Sequence, residues 1–229
     1  MPWRLLTRRG HTVRFATELG GTAPKADPLL LTGVIFGRLG AKAEAKQFYA
    51  EMQSDPEFCS PIAWADIEPD QYDGVILPGG HAPGMRQYLE NAVLRAKVAE
   101  YWAFGRPIGA ICHGVLVLAR TRDPRNGRML VYGRETTCLP RYMERSAYLA
   151  TAWRRGRYYR TYPLYVETEV RRGMQDAHDF ERGPKVRFRR GTESDDRKAF
   201  VVEDGNYISA RWPGDAYLFA KRFIAQLER

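Results

Sequence analysis

The stretch Arg106-Pro-Ile-Gly-Ala-Ile-Cys-His-Gly-Val-Leu-Val-Leu-Ala119 decides how this chain folds. Pro107 to Ile111 is a short apolar run suited to a buried parallel strand, Gly114 permits tight packing at a turn, and Val115 to Ala119 opens an apolar helix. Cys112 then sits on the bend. A side chain on such a strand-to-helix turn stands above the carboxyl ends of the strands, where the free N–H groups and dipole of the new helix favour a thiolate. The position suits a nucleophile, with His113 next to it. A buried core cysteine is the other reading of the same residue.

Working outward, Tyr72 to Leu77 reads as the preceding strand and runs directly into Pro78-Gly79-Gly80-His81-Ala-Pro-Gly84. Two adjacent glycines after a buried strand let backbone N–H groups face a ligand with no Cβ in the way, which would make an oxyanion site. A plain tight turn is the alternative for Gly79 and Gly80, and a turn-stabilising role the alternative to a pocket role for His81. Met85 to Phe104 carries Met85, Leu89, Val93, Val98, Tyr101 and Trp102 at near-helical spacing and ends at Gly105, as expected of one helix covering the sheet. Asp73 to Arg120 is therefore a strand, helix, strand, helix unit with a right-handed crossover and a parallel pair. Both strands end at one edge, which places Gly80, His81, Cys112 and His113 in one crevice.

The flanks are read in the same way. Pro2 to Arg9 predicts a short helix capped by Gly10, and His11 to Thr17 alternates like a strand. Glu18 to Thr32 is rich in Gly, Pro and Asp and reads as a loop, and Ala41 to Met52 as a helix stopped at Asp55-Pro56. After a turn-rich segment from Thr121 to Gly127, Met129 to Tyr132 reads as a short strand, and Leu139 to Trp153 as a helix with Ala147, Leu149 and Ala150 on its apolar side. Arg182 to Gly191 and Thr192 to Lys198 read as a solvated hairpin or loop region. Ala199 to Val202 and Tyr207 to Ala210 form a hairpin about Glu203-Asp-Gly-Asn206, and Asp215 caps a terminal helix.

At 229 residues and 44% hydrophobic, the chain suits one α/β domain spanning residues 1–229, with an insertion or subdomain near residues 154–198. No apolar run of about 18 residues is present, and no signal peptide is visible, so a cytoplasmic location and no membrane partner are expected. Cys59, Cys112 and Cys138 are too few and too irregularly spaced for a disulfide framework or a Cys-only zinc site. The net charge of +9 and the run Arg154-Arg-Gly-Arg-Tyr-Tyr-Arg160 invite a nucleic-acid partner. No helix-turn-helix, finger or RRM pattern accompanies them, and only seven of the 36 basic residues are Lys, a chain-wide preference for Arg. No nucleic-acid partner is expected.

The motifs Leu77-Pro-Gly-Gly-His81, Ala110-Ile-Cys-His-Gly114 and Ser209-Ala-Arg-Trp-Pro-Gly214 together resemble the ThiJ/PfpI superfamily of class I glutamine-amidotransferase-like proteins, in the branch of glyoxalase III-type enzymes, protein deglycases and stress-induced chaperones. The resemblance implies a flavodoxin-like, doubly wound, mostly parallel sheet with helices on both faces. It implies Cys112 as nucleophile, His113 as proton carrier or orienter, and Gly79, Gly80, His81 and Gly114 around the oxyanion and substrate. The implied chemistry is that of a cysteine-dependent enzyme acting on small reactive carbonyls, methylglyoxal to lactate, or on protein glycation adducts, with no cofactor or metal and with a homodimeric assembly. Family members carry a first strand followed by an acidic residue; Met1-Pro-Trp matches the helix after it, so the chain is expected to lack that strand and to leave neighbouring strand edges unpaired. This favours the alternative of a chaperone-like or degenerate member without the chemistry. For a second, His-orienting acid, Glu135 lies in the right part of the chain. Cys59, Cys138, His11 and His178 are expected to have no part in the site.

Overall fold

A computed structural model describes residues 1–34, 39–186 and 189–229. The chain opens with α1 (Pro2–Arg8), which Pro2 initiates and Gly10 ends at φ +84°. β1 (Ala16–Thr17) is followed by α2 (Pro28–Thr32), whose cap is Asp27, accepting the Leu29 N–H at 2.8 Å. Next come α3 (Ala43–Met52) and α4 (Pro56–Cys59), the latter capped by Asp55. β2 (Ile62–Ala63) pairs in parallel with β1, Ala16 opposite Ile62.

The central unit follows as β3 (Val75–Leu77), α5 (Met85–Glu90), α6 (Ala92–Ala103), β4 (Ile108–Ile111) and α7 (Val115–Arg120). Then come α8 (Arg141–Arg155), α9 (Val166–Gly173), the hairpin β5 (Val201–Asp204) and β6 (Tyr207–Ala210), and α10 (Ala216–Leu227). The main sheet has the order β3-β4-β6-β5; β3, β4 and β6 are parallel and β5 is antiparallel to β6. This is the α/β, mostly parallel architecture expected from the sequence.

Strand alternation divides the core. Val75, Leu77, Ile108 and Ala110 face α6, α7 and α9, whereas Ile76, Ile111, Ile208 and Ala210 face α1 and α10, packing against Leu5, Leu6, Tyr217, Phe219 and Phe223. Burial on both faces is why β4 reads as a continuous apolar run. It also fixes the carboxyl ends of β3 and β4 side by side, with Leu77 in register with Ala110.

Several local expectations are corrected. Of His11 to Thr17 only the last two residues pair, and the Glu18 to Thr32 loop contains α2, which Asp27 and Pro28 start. The single helix predicted from Met85 to Phe104 breaks at Asn91, which turns extended and caps α6 through the Leu94 N–H. Met129 to Tyr132 makes one bridge, Arg122 to Met129, and no strand. Asp215 stands at the N-cap of α10 as expected, but its side chain makes no cap bond; the carboxylate is drawn into a buried pair with Arg211, at 2.9 Å from Nε, and takes the Phe200 N–H. Of the residues expected on the apolar side of α8, Ala147 is half-buried but Leu149, 62% exposed, and Ala150 face outward, while Glu144 and Thr151 are buried. Residues 192–198 form turns as expected, and the reading of Arg182 to Gly191 includes residues 187 and 188, which lie outside the described residues.

Candidate active site at the strand-to-helix elbow

Cys112 follows β4 at once and adopts φ +59°, a left-handed conformation that costs an L-residue with a Cβ roughly 1–2 kcal/mol. The surrounding contacts hold it there. A Cβ on Gly114 would lie 2.2 Å from the Leu77 carbonyl oxygen and 2.6 Å from that of Pro78, and a Cβ on Gly79 would lie 2.5 Å from the Ile111 oxygen and 2.6 Å from the Cys112 Cβ. The two glycines let the end of β3 press directly against the elbow. The Cys112 side chain is thereby placed beside the Pro78-Gly79-Gly80 turn, and neither glycine N–H has a hydrogen-bond acceptor among the described residues.

The Cys112 Sγ lies 3.4 Å from His113 Nδ1. Both residues are buried, and His113 Nε2 has no hydrogen-bond partner among the described residues. Burial dominates their protonation. The Cys112 thiol is pushed up to about 12 by desolvation, against the pull of the His113 backbone N–H, with the charges of Glu144 and Asp215 adding to the rise. His113 is pushed down to about 3 by desolvation, with the His81 and Arg120 charges working in the same direction. The elbow's N–H groups favour a thiolate, but in this closed arrangement the missing water outweighs them.

His81 closes the other side. Its ring is 6.4 Å from that of His113, stacks on Tyr159 at 4.2 Å, and meets the edge of Tyr158 at 5.3 Å. Burial lowers its pKa to about 4, with the Asp27 charge opposing. The segment Tyr158 to Tyr162 is strapped over this side of the site. The Tyr158 hydroxyl donates to Asp27 Oδ1 at 2.8 Å, the Thr161 hydroxyl donates to the His81 carbonyl at 2.9 Å, and Arg86 donates to the Thr161 carbonyl at 2.6 Å.

Six of the residues singled out from the sequence thus converge: Gly79, Gly80, His81, Cys112, His113 and Gly114. Glu135 does not. It is exposed and its N–H is bound to Asp204, at the end of the sheet where β4 and β6 begin, away from Cys112. A buried acid missed in the sequence is Glu144, only 3% exposed. Its Oε2 accepts the Val166 N–H at 3.0 Å, its Oε1 has no partner among the described residues, and burial raises its pKa to about 7. Glu144, Asp27, Tyr158 and Tyr159 carry no motif; their part in the site depends on tertiary packing. Cys138 is buried and Cys59 exposed. Among the described residues no three His, Cys, Asp or Glu side chains are grouped so as to hold a metal ion.

With this geometry in place, similarity to known proteins becomes informative. A family model described as ThiJ/PfpI family-like matches residues 1–191. An uncharacterized protein of Schizosaccharomyces pombe is 31% identical over 228 residues, covering 96% of this chain and 74% of its own length. The deglycase PfpI of Pyrococcus furiosus is 26% identical over 169 residues, covering 73% of this chain and 69% of its own. Among solved structures, glyoxalase III from Candida albicans superposes with a TM-score of 0.71 at 20% identity, over 98% of this chain and 84% of that one.

Proposed function

Because the chain belongs to the ThiJ/PfpI family, we propose that it is a cysteine-dependent enzyme acting on small reactive carbonyls, with methylglyoxal as the type substrate, or on the adducts such carbonyls leave on proteins. The observation that carries this reading is Cys112 held at φ +59° with its Sγ 3.4 Å from His113 Nδ1, beside the Gly79 and Gly80 N–H groups, which have no acceptor among the described residues. A left-handed cysteine next to a histidine is strain retained where it aims a side chain.

In this mechanism the sulfur adds to the aldehyde carbon, the thiol proton passes to His113, and the new oxyanion is met by the Gly79 and Gly80 N–H groups. A proton then moves from the former aldehyde carbon to its neighbour. The first carbon rises to the thioester level as the ketone is reduced, so no external oxidant is required. Water cleaves the thioester, giving lactate and restoring the thiol.

Substrate entry requires the Tyr158 to Tyr162 strap to move, since His113 is fully buried. Admission of water and substrate relaxes the desolvation that holds Cys112 and His113 neutral. Wild type should consume methylglyoxal and Cys112→Ala should not, with both proteins folded by circular dichroism; equal rates would overturn the proposal. A second reading, a non-catalytic family member with holdase activity, draws on the closed state itself, in which the thiol sits at about 12. It predicts suppression of client aggregation that survives Cys112→Ala.

A further inference from the structure

Helix α8 carries apolar side chains on its outward face as well as on its inward one. Its outward side carries Leu149 at 62% and Trp153 at 76% exposure one turn apart, with Tyr142 at 36% two turns before Leu149, its hydroxyl accepting the Val186 N–H at 2.8 Å. Its inward side carries the buried Glu144 and Thr151, with the half-buried Ala147 and Tyr148 between them. Large exposed side chains elsewhere, such as Leu19 and Val93, belong to separate elements. Single exposed apolar residues are ordinary, but an aligned stripe that includes a tryptophan calls for a partner.

The charges around the stripe identify the kind of partner. Arg141, Arg145, Arg154 and Arg155 lie on α8 and are exposed. None of the four guanidinium groups forms an ion pair among the described residues, unlike those of Arg171 and Arg182, which share Glu167; Arg141 gives Glu167 only its backbone N–H and lies over the Tyr165 ring. The helix's one acid, Glu144, is turned inward onto the Val166 N–H. Of the basic and aromatic run that follows, Tyr158 and Tyr159 are taken up by the active-site roof and Arg160 by the Tyr165 ring, leaving Arg154, Arg155 and Arg157 to the surface.

A second copy of the chain does not fit this face. Two-fold packing of antiparallel α8 helices would set Arg141 and Arg145 against the partner's matching arginines, Arg154 and Arg155. We propose that the exposed face of α8 docks the protein peripherally on an anionic lipid bilayer, with Leu149 and Trp153 entering the interface and the flanking arginines meeting lipid phosphates and carboxylates. A bilayer accepts a single convex helix, whereas a helical peptide partner would need a groove to lie in. None of the described helices is long and apolar enough to cross a membrane, so the contact is with the surface alone. The inference is independent of the chemistry at Cys112.

The test is co-sedimentation of the full chain with vesicles of phosphatidylcholine, with and without phosphatidylserine, at low and high salt. Partitioning is expected only with phosphatidylserine and is expected to fall as salt rises. The Leu149→Ala/Trp153→Ala double variant should partition roughly tenfold more weakly. Arg145→Gln/Arg154→Gln should lose the preference for phosphatidylserine, and Leu19→Ala, a change at a still more exposed leucine elsewhere, should behave as wild type. These substitutions sit on the surface and should leave the circular dichroism spectrum intact. No partitioning at low salt would overturn the proposal, as would equal partitioning of the wild type and the Leu149/Trp153 double variant. A concentration-dependent oligomer abolished by that double variant would assign the face to a second copy instead, and binding of soluble polyglutamate without vesicle binding would assign it to an acidic polypeptide.

Discussion

Gly114→Ala sets two physical effects of opposite sign against each other. Gly114 has φ −58° and stands at the start of α7, where helix propensity alone would favour alanine by about 1 kcal/mol. The added Cβ would lie 2.2 Å from the Leu77 oxygen, 2.6 Å from the Pro78 oxygen and 2.9 Å from the Leu77 carbonyl carbon. All three atoms are backbone, so no side chain can swing aside. Restoring an ordinary contact of at least 3.4 Å would move the elbow from the end of β3 by more than an ångström. That would stretch the pairing of Leu77 with Ala110. Overpacking of this kind costs about 1–3 kcal/mol, and with rigid backbone on both sides the upper part of that range applies. The net loss should be about 2 kcal/mol, a fall in Tm of about 4–8 °C for a chain of this size. Thermal unfolding followed by near-ultraviolet circular dichroism reads it. A Tm equal to or above that of the wild type would show that propensity wins and that β3 and the elbow are not in the close contact described.

Three further outcomes follow from the buried groups. His81 and His113, held down at about 4 and 3, stabilise the fold above the usual histidine range, and this stability is lost as pH falls through 6.5 toward those values; Glu144, raised to about 7, has the opposite sign, its contribution being complete below about 4.5 and lost as pH rises through 7. Urea midpoints should therefore give a wild-type loss from these three groups of about 1.4 kcal/mol per pH unit between about pH 6 and 5, and Glu144→Gln about twice that slope; equal slopes would refute the assignment to Glu144. Arg211→Ala strands the Asp215 carboxylate, wholly buried, and should cost about 3–5 kcal/mol in the same assay, a loss below about 1 kcal/mol contradicting the buried pair. Tyr158→Phe removes the 2.8 Å bond to Asp27 and loosens the strap by about 1 kcal/mol, so iodoacetamide should label Cys112 roughly fivefold faster; an unchanged rate would mean that the strap does not control access.

The parts of this molecule legible in the sequence are those where one constraint acts on contiguous residues. Pro107 to Ala119 is buried from both faces of the sheet, so its apolar run, its turn glycine and its helix all point one way, and Cys112 falls on the bend as read. Gly79 and Gly80 are legible for the same reason, standing directly after a strand. The break at Asn91 was written in its side chain, a good helix cap, but the longer apolar period across Met85 to Phe104 masked it. In α8 periodicity identifies apolar positions and not what they meet: Ala147 is half-buried as its spacing implies, Leu149 and Ala150 look outward, and the fully buried positions go to Glu144 and Thr151. The strap over His81 could not be read at all, since Asp27, Tyr158 and Thr161 are far apart in sequence and are joined only by the folded chain.

The most direct test of the central claim is to expose the chain briefly to methylglyoxal, quench in acid, and locate the adduct peptide by peptide on Cys59, Cys112 and Cys138. Exposure alone favours Cys59, the one exposed thiol of the three. The mechanism predicts a transient adduct on Cys112 that decays as lactate forms. Modification confined to Cys59, with Cys112 unmodified throughout, would contradict it.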